Sequence, residues 1–265
     1  MKPLAACRHP AEKAGALPSE LVVGTKSLLD MTAAVPELLA IDKEIGRPYR
    51  TNPVIFNSQA WSRRLELPWV IEHIGTAAGL RILDVGSGMS ALPVFLSRHK
   101  ASVVSIDVNT SRHHSRSDMT SVRAALPCLP FRRESFDVVS CVSVLEHLPG
   151  NLGKYMSELC RVARQKVILT FDLALGIQPR AGLSQVELNA MARMVGIAIS
   201  RPHDLLTPSG VEEEMFGSNL GVCLLCLEKQ GGAWPTLRMN LGEELLTFAH
   251  RSVRMFGQNK IRWEP

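Results

Sequence analysis

Arg81-Ile82-Leu83-Asp84-Val85-Gly86-Ser87-Gly88-Met89-Ser90 is the stretch whose reading decides the fold of this 265-residue chain. Ile82, Leu83 and Val85 form a short β-rich run that drops through Gly86-Ser87-Gly88 into a segment with helical apolar spacing, so the backbone must turn sharply at the two glycines. A strand, a glycine turn and a helix N-terminus in that order build a nucleotide-type site at the carboxyl end of a strand.

Two cofactor classes fit that geometry. Read as Gly86-x-Gly88-x-x-Ala91, with Asp107 about twenty residues on, the stretch meets the dinucleotide fingerprint and suggests NAD. A pyrophosphate, however, favours an electropositive turn, and here the carboxylate of Asp84 stands two residues before the first glycine. A cationic ligand suits that acid better. S-adenosylmethionine carries a sulfonium and an ammonium and no phosphate. Its ribose would still use an acid at the end of the next strand, where Asp107 closes Val103-Val104-Ser105-Ile106-Asp107.

Farther along, Phe136-Asp137-Val138-Val139-Ser140-Cys141-Val142-Ser143-Val144-Leu145-Glu146-His147-Leu148 follows the Asp-x-Gly-x-Gly stretch at a distance that, with Asp107 between them, resembles the class I S-adenosylmethionine-dependent methyltransferases, type 11-like. The resemblance covers about residues 57 to 229. It implies a doubly wound α/β fold, Rossmann-like, with a seven-stranded mostly parallel sheet and with N- and C-terminal helical additions. It further implies S-adenosylmethionine as cofactor, held by Asp84, Gly86, Ser87, Gly88, Asp107, Val108, Ala125, Leu126, Cys141 and Val142, with Glu146 and His147 nearest the methyl group. No metal ligand set is expected. The chain departs from the family in two places. Ser90 stands where a third glycine is common, and Ala125 stands where an acid commonly holds the adenine amino group, so backbone groups of Ala125 and Leu126 or water must serve there.

Composition sets the outer bounds. With 46% hydrophobic and 21% charged residues and a net charge of +5, the chain reads as a mildly basic globule with a core of useful size. The charge allows an acidic partner, but only 5% of residues are aromatic and no basic and aromatic stripe offers bases a stacking surface. Nucleic acid is therefore disfavoured. No apolar run reaches the roughly 20 residues of a membrane span. Leu4-Ala5-Ala6-Cys7 has the form of a lipoprotein cleavage site, yet no apolar segment precedes it, and it is not read as one. The six cysteines are scattered, which suits a reducing cytoplasm. Cys223-Leu224-Leu225-Cys226 has redox or metal spacing but sits in a strand-like run, where an i, i+3 pair points to opposite sides; both are expected as core thiols. The oligomeric state is not legible.

Three units are expected: an N-terminal extension and lid over residues 1–56, a methyltransferase domain over 57–230 and a helical tail over 231–265. Residues 1–35 carry little pattern. Pro36 to Ile45 reads as a short helix, followed by a loop in which Tyr49 and Arg50 are candidate lid residues. Asn57 to Gly79 reads as helical in two pieces, divided at Pro68, with Arg64 and Glu66 either facing substrate or, as the favoured reading, lying on the wet side of the helix. Ser90 is the expected N-cap of the helix after the glycine turn. The polar loop from Asn109 to Asp118, with His113 and His114, is expected to be solvated. Asn151 to Arg164 has an amphipathic helical pattern, Lys166 to Phe171 reads as the fifth strand, Ser184-Gln185-Val186-Glu187 as a capping box, Ile197 to Leu206 as the sixth strand, Leu220 to Leu227 as the seventh and Leu241 to Phe256 as a final helix.

The implied reaction is in-line methyl transfer to a small acceptor such as a sugar, a polysaccharide precursor or a secondary metabolite. His147 has the intrinsic pKa of a general base, and Glu146 would orient it or bind the acceptor. Equally, Glu146 could cap the turn that follows and His147 pack at a strand end. A catalytically silent donor-binding partner subunit and an RNA methyltransferase are the competing readings.

Overall fold

Among the described residues, seven strands, β1 (Glu20–Val23), β2 (Arg81–Val85), β3 (Ser102–Asp107), β4 (Thr120–Arg123), β5 (Phe136–Val142), β6 (Ala163–Ala174) and β7 (Leu220–Glu228), form one sheet in the order β1-β7-β6-β5-β2-β3-β4. The coordinates are a computed structural model that describes residues 20–31, 35–45, 58, 61–109, 119–149, 151–175, 182–195, 205–209, 213 and 220–234. Strands β2 to β6 pair in parallel, and β7 runs antiparallel to both of its neighbours. The expected doubly wound, mostly parallel α/β sheet is present. Strands covered on both faces should be apolar along their whole length. Accordingly, β5 is buried up to its last residue and β7 throughout.

Helices α1 (Lys26–Met31), α2 (Pro36–Glu44), α3 (Arg63–Ile74), α4 (Leu92–Arg98), α5 (Leu152–Val162) and α6 (Gln185–Val195) complete the described structure. One apolar cluster joins α2, α3 and α4 to one face of the sheet, and a second joins α5 and α6 to the other. Cys223 belongs to the second cluster and Cys226 to the first, so the Cys-x-x-Cys pair does point to opposite faces. Both are buried thiols outside any disulfide. Burial pushes the Cys223 thiol far up and that of Cys160 up to about 12, which keeps them inert.

The chain runs outward from β2 through β3 to β4 and then returns to place β5 on the other side of β2. This reversal leaves a crevice at the carboxyl ends of β2 and β5, the place where open α/β sheets bind ligands.

Several sequence expectations are corrected. Residues 20–31, in a stretch with little pattern, form β1 and α1, and β1 holds the sheet edge beyond β7. Most of the sixth strand expected over 197–206 lies outside the described residues; Leu205 makes an isolated bridge to Thr25, on the segment just after β1. Helix α3 is a single helix and contains Pro68. The backbone bond missing at an interior proline costs about 3 kcal/mol. Burial of Leu65, Leu67, Trp69 and Val70 around it, at about 1.5–3 kcal/mol for each large apolar side chain, outweighs that cost. Ala91, not Ser90, occupies the N-cap of α4, although the Ser90 hydroxyl still accepts from the Leu92 N–H at 3.2 Å. Helix α5 stops at Val162 and passes directly into β6, which is longer at both ends than the segment expected.

Other local readings agree with the structure. Asn151 caps α5 by accepting from the Lys154 N–H. At the start of α6, the Glu187 N–H donates to Ser184 Oγ (3.3 Å) and the Ser184 N–H to Glu187 Oε2 (2.5 Å), while Leu183 and Leu188 are fully buried beside them.

Candidate functional site

Both turn glycines have positive φ, +70° at Gly86 and +48° at Gly88. At Gly86 the requirement is also steric: a Cβ there would stand 2.3 Å from a methyl of Val144, on the segment that leaves β5. The walls of the crevice therefore touch, and only glycine fits. The Gly88 N–H donates to Asp107 Oδ2 (3.0 Å), and the Asn109 N–H donates to Asp107 Oδ1 (2.9 Å). The acid at the end of β3 is thus tied to the turn at the end of β2. Ser87 is buried, with its N–H on the Ile106 carbonyl.

Asp84 lies beneath the turn, 2% exposed. Its Oδ1 accepts from Ser140 Oγ at 2.7 Å, and its Oδ2 has no hydrogen-bond partner. Burial pushes this carboxyl up to about 7, although the Ser140 hydroxyl and the Arg63 charge pull the other way. A buried acid so raised ionises readily when a cation approaches it.

The remaining residues of the donor set differ in their surroundings. Val108 and Ala125 are exposed and Leu126 is half-buried, forming an open flank past β3 and β4. Cys141 is completely buried within the core, whereas Val142 is half-buried at the strand end.

Glu146 and His147 share a 3-10 turn, Leu145–His147, but not an environment. Glu146 is buried. Its Oε1 accepts from the Asp172 N–H (3.0 Å), and Oε2 is unpartnered. Burial and the neighbouring Asp172 hold its carboxyl well above the usual range. His147 is exposed at the rim. The protein around it and the Arg63 guanidinium both lower its pKa, an effect its exposure to solvent tempers, and the imidazole is neutral near pH 7.

The sequence reading misplaced Glu66 and overlooked its partners. Far from lying on a wet helix face, Glu66 is 0% exposed. Arg63 Nη1 donates to its Oε2 (2.5 Å), and Ser143 Oγ (2.7 Å) and Thr170 Oγ1 (2.5 Å) both donate to its Oε1. Asp172 lies in the same cluster, pushed up to about 7 by burial and by Glu66 while Arg63 opposes the shift. One signal was available: acids interrupt two apolar runs, Leu65-Glu66-Leu67 and Leu169-Thr170-Phe171-Asp172-Leu173. That they meet is a fact of topology.

Tyr49, Arg50, the His113–His114 pair and residues 241–256 lie outside the described residues. Among the described residues, no group of three or more His, Cys, Asp or Glu side chains could hold a metal ion, and no helix is long and apolar enough to cross a membrane. A cavity of about 540 Å³ opens against α5, lined by Arg133, Lys154 and Trp234 among others, and shares no residue with the crevice.

Residues 83–171, from β2 into β6, match the family model described as a methyltransferase domain. A ubiquinone biosynthesis O-methyltransferase from Acinetobacter baylyi is 32% identical over 95 residues, 32% of this chain and 40% of that protein. A phthiotriol/phenolphthiotriol dimycocerosates methyltransferase from Mycobacterium ulcerans is 30% identical over 133 residues, 43% of this chain and 49% of that protein. The chain thus aligns with less than half the length of these curated relatives. Among solved structures, an S-adenosylmethionine-dependent methyltransferase from Mesorhizobium loti superposes with a TM-score of 0.49 at 16% identity, covering 64% of this chain and 98% of that one. The magnesium protoporphyrin IX methyltransferase from Synechocystis with bound S-adenosylhomocysteine gives 0.46 at 19% identity, covering 71% and 93%.

Proposed function

We propose that this chain, whose residues 83–171 match the methyltransferase-domain model, is a class I S-adenosylmethionine-dependent methyltransferase that moves a methyl group from that donor to a hydroxyl or amine of a small molecule. The observation that carries the reading is the junction of Asp107 with the Gly86–Gly88 turn, above the buried Asp84 with its unpartnered oxygen. An acid ready to take a ribose hydroxyl, a turn that admits only bare backbone and a carboxyl short of a partner fit a cationic adenosyl donor. They suit a pyrophosphate poorly, which speaks against NAD.

Asp107 holds the ribose, Val108, Ala125 and Leu126 flank the adenine, and Gly86, Ser87, Gly88 and Asp84 surround the amino-acid end. Val142 lies alongside, with Cys141 packed behind it. The donor supplies an activated sulfonium methyl. The protein's share is alignment of the acceptor and removal of its proton. His147, neutral and at the rim, receives that proton, and Glu146 sits behind it as part of the buried acid cluster. The working unit takes in Glu20–Val23 as well as residues 57–230, because β1 completes the sheet. The O-methyltransferase among the relatives favours oxygen as the accepting atom. A sugar, polysaccharide precursor or secondary metabolite remains the proposed acceptor class, and a cytoplasmic setting goes with it.

The missing acid at Ala125, which is exposed, favours a second reading: a silent donor-binding subunit. Titration calorimetry with S-adenosylmethionine, paired with a methyl-transfer assay on a metabolite pool, separates the two. The first reading expects binding and a methylated product whose formation falls steeply in His147→Ala. Binding with no turnover of any acceptor supports the silent subunit, and turnover on RNA alone overturns the small-molecule assignment.

A further inference from the structure

We infer that Glu66 is a positioning residue for methyl transfer, setting both the Arg63 guanidinium and the turn that carries Val144, Glu146 and His147. The inference rests on the methyl-transfer reading and extends it to a residue that is wholly buried and open to no solvent.

A carboxylate in the interior is costly unless its lone pairs are used. Glu66 meets three donors drawn from three places: Arg63 on its own helix, Ser143 at the exit of β5 and Thr170 on β6. Arg63 Nη1 also donates to Ser143 Oγ (2.5 Å), which closes a ring of three side chains. The carboxylate therefore fixes α3 to the carboxyl ends of two neighbouring strands.

Ser143 is where this fixing acts on the site. Its φ is +49°, a left-handed conformation that a residue with a side chain adopts at a cost. It is held there by its N–H on the Thr170 carbonyl (2.9 Å) and by its hydroxyl on Glu66. The bend sends Val144 against Gly86 and leads straight into the turn bearing Glu146 and His147. A shift of Ser143 would reach the glycine turn and the rim together.

Arg63 is the second arm. Its charge acts on Glu66, Asp172 and Glu146, on Asp84 and on His147, so its placement governs the field across the crevice. Glu66 is the group that anchors it.

The test titrates S-adenosylmethionine and S-adenosylhomocysteine into the wild-type chain, Glu66→Gln, Arg63→Ala and the double variant, with thermal melts of each. Glu158→Gln serves as a stability control, since Glu158 pairs with Arg161 on α5, away from the crevice. Glu66→Gln, which keeps the shape and removes the charge, is expected to weaken donor binding about tenfold. The double variant is expected to lose less than the sum of the two single losses, because Glu66 acts in part through Arg63 and in part through Ser143. Glu158→Gln is expected to lower the melting temperature and leave affinity unchanged. Wild-type affinity in Glu66→Gln, strictly additive losses in the double variant, or affinity that tracks melting temperature across all variants, Glu158→Gln included, would overturn the inference. If Glu66→Gln does not fold, Ser143→Ala carries the same tenfold expectation, and unchanged affinity there overturns it equally. A folded wild-type chain that binds neither compound overturns the underlying reading, and the inference with it.

Discussion

On the β2–β3 side of the crevice, the wall is built from backbone: two glycines at positive φ, an N–H given to Asp107 and a neighbour so close that a single added carbon would collide. On the β5–β6 side it is built from charge. Glu66, Glu146 and Asp172 gather around the Arg63 guanidinium, and buried oxygens of Glu146 and Asp172 lack a partner. The first side is a local object that ten consecutive residues and one strand-end acid specify. The second is assembled from α3, the β5 exit and β6, over more than a hundred residues of sequence, and exists only once the sheet has formed. Backbone sites fail by steric conflict; charge clusters fail by losing a partner.

That contrast can be broken from either side. The largest effect expected is on the charge side: Glu66→Ala strips Arg63, Ser143 and Thr170 of a shared acceptor and should cost about 3–5 kcal/mol, read from urea unfolding. Next is Gly86→Ala, which combines a disfavoured φ with the clash against Val144 and should cost about 2–4 kcal/mol. Gly75→Ala supplies the matched comparison, since φ there is +71° and the added carbon meets open space. It should cost about 1–2 kcal/mol, the backbone part alone, and equal losses at the two glycines would mean that the walls of the crevice do not constrain the turn.

Asp84 sharpens the contrast through pH. Because its folded pKa is raised to about 7 from the ordinary carboxyl range, the folded chain binds an extra proton between about pH 4 and pH 7. Stability in the absence of donor should therefore fall as pH rises through that window, by at most about 1.4 kcal/mol per pH unit from this group. Asp84→Asn should reduce the slope in this window and leave the part contributed by Asp172, which burial also pushes up to about 7. Donor affinity should move the other way, strengthening as Asp84 ionises, and calorimetry at pH 6 and pH 8 checks it. The smallest effect expected lies outside the crevice: Ser184→Ala removes half of the capping box of α6 and should cost about 1 kcal/mol with donor affinity unchanged.

The same contrast explains what the sequence disclosed. The glycine turn, Asp107 and the parallel strands β2, β3, β5 and β6 follow from contiguous patterns, because a β-run ending in glycines has few geometries open to it. The capping box at Ser184 was equally local. Glu66 was misjudged because a charge on an amphipathic helix ordinarily faces water; α3 instead lies between the sheet and α1, with Leu65, Leu67 and Val70 buried all around it. Glu146 and His147, adjacent in sequence, were read as a unit, but a 3-10 turn buries one and exposes the other. The edge strand β1 was missed because Glu20-Leu21-Val22-Val23 is too short to stand out. It is specified by its partner, since each of its residues pairs with one of Cys223 to Cys226.

The most direct measurement is calorimetric titration of S-adenosylmethionine into the wild-type chain and Asp107→Ala, with NAD titrated in parallel. One donor molecule bound per chain, at least about tenfold weaker binding in the variant and no heat from NAD is the expected outcome. A folded wild-type chain that ignores the sulfonium compound, or binds it equally well after Asp107→Ala, would contradict the account.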